Sequence, residues 1–210
     1  MRYNIHWTSG GLTLFYMLGV TRNMMLLKPE LCGPHAQHQY SGVSAGAWCA
    51  MIASSDIQPD ALDRSVEGFI DQASENDFWG KTKSKDVLRA LNIGSFASDR
   101  LQIGLTHFPS MKRRWVTDFK GTEDVVGACL ASSHIPVLCG SATAIYKGAK
   151  YMDGAIGIGP REPENYETEL RISPSMYDRR FTRKDMYTFD RKNMKELYTL
   201  GLKDSHRWGI

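Results

Sequence analysis

Residues 39–50, QYSGVSAGAWCA, decide how the rest of the sequence is interpreted. Residues 42–46 have the sequence Gly-Val-Ser-Ala-Gly, the pattern of a nucleophile elbow, in which a strand turns sharply through a serine into a helix. Ser44 has to adopt a strained backbone conformation in such a turn, and side chains at Gly42 and Gly46 would collide with neighbouring segments. The helix that follows brings partial positive charge and free N–H groups toward Ser44. The pattern therefore predicts a nucleophilic serine.

Composition favours one globular domain, which we predict to comprise residues 1–210. Hydrophobic residues make up 42% of the chain and charged residues 23%, which is sufficient for a substantial core. The formal net charge of +3 is too small to indicate nucleic-acid binding. No apolar run approaches the ~20 residues of a membrane span, and the N-terminal residues lack the apolar core of a signal peptide. We therefore expect a cytoplasmic protein with no nucleic-acid partner.

Cysteine and histidine spacing does not indicate a metal site or a disulfide framework. The cysteines show no C-x-x-C spacing, which favours free thiols, and they lie at Cys32, Cys49, Cys129 and Cys139. His35 and His38 are three residues apart, but the sequence near them offers no third ligand. We expect no metal and no cofactor.

Strand and helix patterns alternate along the chain, which is typical of an α/β protein. The predicted strands include residues 3–7, 100–106, 114–119, the hairpin 143–152 and 168–174. The predicted helices begin near Leu12, at the elbow, at Gln58, at Ser84, at Thr122 and at Asn193, the last ending before Gly201 as a C′ residue. This order predicts a three-layer sandwich, with a mostly parallel central sheet and helices on both faces.

A second turn of small residues precedes the elbow. The sequence Thr8-Ser9-Gly10-Gly11 joins the first predicted strand to the first helix, so several backbone N–H groups gather at a helix start. Three interpretations are open. The first is that the turn binds a phosphate, although the G-x-G-x-x-G and GK[ST] patterns are absent. The second is that it is an ordinary strand-to-helix connection. The third is that it supplies the oxyanion hole for the elbow serine.

A third feature completes a recognisable succession. SGG follows the first strand, GVSAG forms the elbow, and ASSHIPVL is followed by YMDGA. This succession resembles the patatin-like phospholipase family over roughly residues 3–157. The resemblance implies a patatin-like α/β fold and a lipid acyl hydrolase that uses a serine–aspartate dyad. It assigns the nucleophile to Ser44, the base to Asp153 and the oxyanion hole to Gly10 and Gly11.

The same resemblance gives Gly42, Gly46 and Gly154 a role in supporting these motifs. The sequence departs from the family pattern in the first turn, where G-x-G-x-x-G is usual. Ser9 and Leu14 replace the first and third of those glycines, and Gly11 keeps the second. Because an oxyanion hole uses backbone N–H groups, we still expect the turn to form one.

The chemistry requires a base for the serine, and two arrangements are open. A free aspartate has a pKa of ~3.9 and is a weak base, but burial in a dry pocket raises that pKa. Alternatively, Ser44, Asp153 and His206 follow the Ser…Asp…His order of α/β-hydrolase triads. Two further alternatives are an inactive relative that binds lipid or protein and, more remotely, a nucleotide-binding α/β protein.

The resemblance also implies the partners. We expect a glycerolipid or phospholipid substrate and peripheral contact with a membrane or a lipid droplet. Two segments bear on that contact. Phe78 and Trp79 lie in a loop and are interpreted as local core in preference to a membrane-touching lid. A basic cluster in residues 179–184 is either a solvated face or a contact for anionic lipid, and it consists of Arg179, Arg180, Arg183 and Lys184.

Overall fold

A mixed α/β fold is formed by the residues that this computed structural model describes, which are 3–75, 86, 90–163, 170–177 and 180–206. In chain order the strands are β1 (Asn4–Trp7), β2 (Gln39–Val43), β3 (Leu101–His107), β4 (Arg113–Val116), β5 (Ala144–Tyr146), β6 (Ala149–Met152) and β7 (Leu170–Ile172). The α-helices are α1 (Leu14–Leu27), α2 (Ala45–Ala53), α3 (Pro59–Glu75), α4 (Thr122–Ser132), α5 (Arg183–Tyr187) and α6 (Arg191–Ser205). Short 3-10 helices lie at Gly11–Thr13 and Pro29–Leu31.

The seven strands of the described residues form one sheet in the order β5-β6-β3-β2-β1-β7, with β4 also paired to β3. The centre, β7-β1-β2-β3, is parallel, whereas β4 and β6 run antiparallel to β3 and β5 runs antiparallel to β6. Parallel neighbours require crossover connections, which α1 provides between β1 and β2, and α2 with α3 between β2 and β3. The predicted α/β class and its mostly parallel sheet are confirmed.

The register of β1 and β2 determines where the two turns lie. Trp7, the last residue of β1, pairs with Gly42 near the end of β2. The small-residue turn after β1 and the elbow after β2 therefore leave the sheet side by side at the same edge. This edge holds the carboxyl ends of parallel strands, where α/β proteins place their ligand sites.

Helices α2 and α1 lie largely within the core. Every residue of α2 is buried, because α2 packs on β1, β2 and β3 while α1 and α4 lie against it. Helix α1 packs in turn between α2 and α6. The indole N–H of Trp7 donates to Thr21 Oγ1 at 3.0 Å, which ties β1 to α1.

No helix in the described part of the chain combines the length and the hydropathy that a membrane span needs.

Gly201 does not end its helix, so the prediction of a C′ glycine is wrong. Helix α6 continues past it to Ser205. The reason lies in the neighbouring helix: a Cβ on Gly201 would lie 2.1 Å from the carbonyl oxygen of Tyr16, and one on Gly19 would lie 2.4 Å from that of Tyr198. The two glycines allow α1 and α6 to cross with their backbones in contact, so Gly201 is required for packing.

Most other predicted elements are confirmed, with shifts of a few residues at their ends. The strand predicted over residues 114–119 ends at Val116, and the 143–152 hairpin turns through Lys147 and Gly148 as expected. The interpretation of Phe78 and Trp79, the helix start at Ser84, and Arg179 of the basic cluster lie outside the described residues. That residues 1–210 form one domain stays a prediction.

Candidate active site

Ser44 lies at the tip of the turn between β2 and α2. Its backbone angles, φ 53° and ψ −125°, fall in a region that residues other than glycine rarely occupy. Its N–H donates to Ser132 Oγ at 2.8 Å, and the residue is 5% exposed. Strain of this kind persists only where the surroundings enforce it, and it is concentrated at functional sites. The turn has the geometry of a nucleophile elbow.

The glycines around the elbow permit backbone contacts that any side chain would prevent. A Cβ on Gly42 would lie 2.2 Å from the carbonyl oxygen of Gly46, and one on Gly46 would lie 2.2 Å from that of Trp7. At the aspartate, a Cβ on Gly154 would lie 2.0 Å from the carbonyl oxygen of Gly104. The start of α2 therefore packs directly onto the end of β1, and the segment after β6 packs directly onto β3.

The structure brings Ser44 and Asp153 into direct contact. Ser44 Oγ donates a hydrogen bond of 2.6 Å to Asp153 Oδ2, although the two residues are 109 positions apart. Asp153 is 3% exposed, and its Oδ1 accepts the N–H of Ala155 at 2.8 Å. Burial raises the pKa of Asp153 above the ordinary value, and the opposing effects of the hydrogen bonds from Ser44 and Ala155 and of the charges on Arg113 and His134 only partly offset it. The carboxylate is a stronger base than an exposed aspartate.

Ser132, a residue that the sequence did not single out, joins the two halves of this pair. Its hydroxyl accepts the Ser44 N–H and donates to the carbonyl oxygen of Gly104 at 2.7 Å. Its own carbonyl oxygen accepts the N–H of Gly154 at 2.9 Å. One residue at the end of α4 therefore fixes both the elbow and the aspartate loop. The only sign of this role in the sequence is that Ser132 lies in ASSHIPVL, one of the stretches that resemble the family.

Arg113 is a second residue that the sequence did not single out. Its guanidinium donates to five backbone carbonyl oxygens of the loop that follows Asp153. The donor–acceptor distances run from 2.7 to 3.4 Å, and the acceptors belong to Gly154, Ala155, Gly157, Gly159 and Pro160. Thr106 Oγ1 also donates to the carbonyl oxygen of Asp153 at 2.7 Å. The loop that carries the aspartate is thus held from β3 and β4, and the planar guanidinium provides all five donors.

The glycine turn lies beside the elbow, as the strand register requires. Gly10 accepts two hydrogen bonds from Thr13 at its carbonyl oxygen, and Gly11 begins the 3-10 helix with φ +56°. Among the described residues, the backbone N–H groups of Gly10 and Gly11 have no hydrogen-bond partner. Leu14 is already the first residue of α1. Unpaired N–H groups next to a buried serine have the character that an oxyanion hole requires.

The histidines are placed away from the serine–aspartate pair or use their ring nitrogens elsewhere. His206 is exposed at the end of α6 and forms no hydrogen bond with Ser44 or Asp153. His38 accepts the Tyr3 N–H at one ring nitrogen and contacts the carbonyl oxygen of Glu30 at the other. Within the described ranges, no group of three or more His, Cys, Asp and Glu side chains is arranged to hold a metal ion.

A cavity of about 300 Å³ is lined by residues that lie close in the chain to the glycine turn, the elbow and Ser132. Of these residues, Leu12 follows the glycine turn, Trp48 lies one helical turn beyond Ser44, and Ser133 follows Ser132. Trp48 Nε1 donates to Ser133 Oγ at 2.9 Å. Much of the remaining wall is apolar and includes Phe15, Leu18, Ile52, Val66 and Leu130. The cavity is large enough for a small ligand or part of a larger one.

The sheet, the strained serine turn and the buried aspartate define an α/β fold with a serine–aspartate pair at the carboxyl edge of its parallel strands. The chain is 25% identical over 169 residues to Omega-hydroxyceramide transacylase of Homo sapiens, a match that covers 75% of this chain and 31% of that protein. It is 24% identical over 128 residues to patatin-like phospholipase domain-containing protein 4 of Homo sapiens, covering 56% of this chain and 51% of that protein.

The resemblance to the patatin-like phospholipase family is confirmed at the level of distant relatives, since several matching proteins carry that family's name. No protein-family profile matches the chain. Among solved structures, VipD from Legionella pneumophila is 14% identical with a TM-score of 0.46, covering 81% of this chain and 49% of that one. The chain spans between about a third and a half of the length of the two curated relatives named above.

Proposed function

We propose that this chain is a lipid acyl ester hydrolase of the phospholipase A, lysophospholipase or acylglycerol lipase type. Ser44 is its nucleophile and Asp153 its general base. The single observation that carries the proposal is the 2.6 Å hydrogen bond from Ser44 Oγ to Asp153 Oδ2 inside a buried site. A serine hydroxyl needs a base at this distance to become a nucleophile at neutral pH. The names of the distant relatives support lipid esters as the substrate class.

In the proposed reaction, Ser44 Oγ attacks the ester carbonyl carbon while Asp153 Oδ2 takes the hydroxyl proton. The negative charge that develops on the carbonyl oxygen is stabilised by the N–H groups of Gly10 and Gly11. When the ester C–O bond breaks, the departing alcohol takes the proton from Asp153 and the acyl group stays on Ser44. Asp153 then takes a proton from a water molecule, which attacks the acyl carbon. The bond between the acyl carbon and Ser44 Oγ breaks, Ser44 Oγ recovers the proton from Asp153, and the fatty acid leaves.

The apolar cavity provides a binding place for the acyl chain in this proposal. Its wall includes Leu12 beside the glycine turn and Trp48 one turn beyond the nucleophile, so a chain lying in it would carry its ester toward Ser44. Burying methylene groups there contributes roughly 0.8 kcal/mol each.

Labelling with a fluorophosphonate probe, combined with a lipid panel, tests the proposal. Wild-type protein is expected to form an adduct at Ser44 and to release fatty acid from at least one of a phospholipid, a lysophospholipid and a triacylglycerol. Ser44→Ala is expected to lose the adduct and to reduce release by about 10⁴-fold or more. Fatty acid release by Ser44→Ala at the wild-type rate would contradict the assignment. Absence of an adduct in folded wild-type protein would favour an inactive relative that binds lipid or protein.

Acyl transfer is the second candidate, because one distant relative is named a transacylase. The acyl–Ser44 intermediate is common to both reactions, which differ in whether water or an alcohol accepts the acyl group. Adding a long-chain alcohol to the lipid assay separates them. Hydrolysis predicts free fatty acid as the main product, whereas transfer predicts a new ester at the expense of fatty acid.

Arg113 is expected to act as a positioning residue for Asp153. Arg113→Lys keeps the positive charge but loses the planar set of five donors, so we expect kcat to fall about tenfold with little change in KM. Arg113→Gln also removes a charge that lowers the pKa of Asp153. The rise of kcat with pH is therefore expected to move to higher pH in Arg113→Gln and to stay in place in Arg113→Lys. Identical pH profiles for the two variants would contradict the charge effect.

A further inference from the structure

Two apolar segments are exposed beside the glycine turn. The segment after α4 presents Val137, 88% exposed, and Leu138, 49% exposed; the end of α5 presents Tyr187, 49% exposed, and beyond it lies Phe189, 37% exposed. Leu138, Tyr187 and Phe189 line one small cleft that also contacts Gly11, so the two segments are neighbours although they are distant in sequence. We call these four residues the apolar rim.

The rim lies at the edge of the proposed acyl-chain cavity. Phe189 lines that cavity as well as the small cleft, and Cys139, which follows Leu138, also lines both. A contiguous group of exposed apolar side chains is unusual on a monomer and marks an interaction site. Because this group borders both the cavity and the cleft at Gly11, a surface bound there would hold its ester-linked chains at the cavity and the glycine turn.

Val137 presents its side chain to solvent from a strained backbone conformation. Its φ of +74° is an outlier for a β-branched residue, which strongly disfavours the left-handed region. The segment carries no charge either, since residues 125–146 contain no Asp, Glu, Lys or Arg. An exposed apolar turn without charged residues suits insertion into an apolar medium, because no charge has to be desolvated.

Positive charge accompanies the rim. Arg183 and Lys184 are exposed in the first turn of α5, the helix that ends at Tyr187, and Arg180 is exposed just before it. Within the described residues, these three side chains form no salt bridge. Asp185 is occupied by the backbone N–H and the hydroxyl of Thr182. Exposed cations next to exposed apolar side chains are the combination that binds an anionic lipid surface.

We infer that the apolar rim inserts into an anionic lipid surface while Arg183 and Lys184 contact its head groups. The inference rests on the proposed function for its orientation, because insertion at the rim places the cavity and Ser44 against the lipid. A protein partner would meet the apolar rim equally well, but the free cations and the adjoining acyl-chain cavity favour a lipid surface.

Two leucines of nearly equal exposure provide a matched test. Leu138 is in the rim, whereas Leu26 is 52% exposed near the far end of α1, about 18 Å along the helix from its first residue. In sedimentation with vesicles of phosphatidylcholine and phosphatidylserine, Leu138→Asp is expected to reduce the bound fraction of protein about tenfold. Leu26→Asp is expected to bind as wild type does. Equal binding by both variants, or no binding by wild type, would overturn the inference.

Two further variants distinguish the rim from folding defects and from the proposed function. Val137→Asn places a residue that tolerates positive φ in an exposed position, so it is expected to fold normally and still bind vesicles several-fold more weakly. Arg183→Gln with Lys184→Gln is expected to weaken binding to anionic vesicles and to leave binding to pure phosphatidylcholine unchanged. Fluorophosphonate labelling of Ser44 is expected to persist in each rim variant. If the rim variants lose vesicle binding but wild type hydrolyses no lipid, the inference about the rim stands and the proposed function is rejected. If wild type hydrolyses lipid but the rim variants bind vesicles as wild type does, the proposed function stands and the inference about the rim is rejected.

Discussion

Asp153→Asn is expected to reduce ester hydrolysis by about 10²–10⁴-fold, whereas His206→Ala is expected to leave the rate within about twofold of wild type. The asparagine has the shape of the aspartate, and its carbonyl oxygen can still accept the Ala155 N–H, but its amide cannot take the proton of Ser44. His206 is exposed at the end of α6 and forms no hydrogen bond with either residue of the pair. Steady-state hydrolysis of a soluble short-chain ester measures both effects without requiring a lipid surface.

The dependence on pH provides a second readout for the same pair. Only the ionised carboxylate is a base, and burial raises the pKa of Asp153. Hydrolysis by wild type is therefore expected to rise with pH through that raised pKa, and the residual activity of Asp153→Asn is expected to lack this rise. Large loss in His206→Ala with near-normal activity in Asp153→Asn would overturn the dyad and favour the triad.

Stability separates a chemical effect of Asp153→Asn from unfolding. A carboxyl whose pKa is raised on folding binds protons more tightly in the folded state, so its contribution to stability is present at low pH and is lost as pH rises through the folded pKa. At neutral pH the buried carboxylate is destabilising, and Asp153→Asn is expected to unfold at the same or a higher urea concentration than wild type. Loss of activity together with retained stability would locate the effect in the chemistry.

Gly201→Ala is expected to lower the free energy of unfolding by about 3 kcal/mol or more, or to prevent folding. The added Cβ would lie 2.1 Å from the Tyr16 carbonyl oxygen and 3.1 Å from the Val20 amide nitrogen. Both atoms belong to the backbone of α1, so neither can move aside as a side chain would. Relief requires α1 and α6 to separate, which disturbs the most extensive helix–helix contact in the described residues.

Gly68→Ala is the matched control, because Gly68 is also inside a helix but has nothing within 4 Å of its Cβ position. Alanine loses less backbone entropy on folding than glycine, so Gly68→Ala is expected to raise the free energy of unfolding by about 0.5–1 kcal/mol. Urea unfolding followed by circular dichroism measures both variants. Stabilisation by both substitutions alike would contradict close packing at Gly201.

Gly201 also illustrates where prediction from sequence failed. A glycine that follows a helical pattern in a polar region is typical of a C′ position. Glycine is also required inside a helix where the backbones of two helices touch. The two cases differ only in what lies opposite, and that is Tyr16 of α1, 185 positions away in the chain. Local periodicity carries no information about such a partner.

Ser132 and Arg113 were missed for a related reason. Each acts through backbone atoms of residues far away in the sequence: Ser132 binds the Ser44 N–H, and Arg113 binds the carbonyl oxygens that follow Asp153. Carbonyl and N–H groups are present at every position, so a sequence gives no sign of which ones a side chain will meet. The glycines were easier to predict, since the absence of a side chain at a turn is itself the signal.

The sequence by itself determined the elements and the local chemistry of this protein. The elbow at Ser44, the glycine turn and the hairpin that ends at Asp153 each depend on residues within a few positions of one another, and short-range steric rules govern them. Only the tertiary structure decided that Ser44 and Asp153 meet at 2.6 Å, that His206 lies elsewhere, and that the apolar rim borders the cavity. These relations depend on strand order and helix packing. Both bring together side chains that are farther apart along the chain than any local sequence pattern extends.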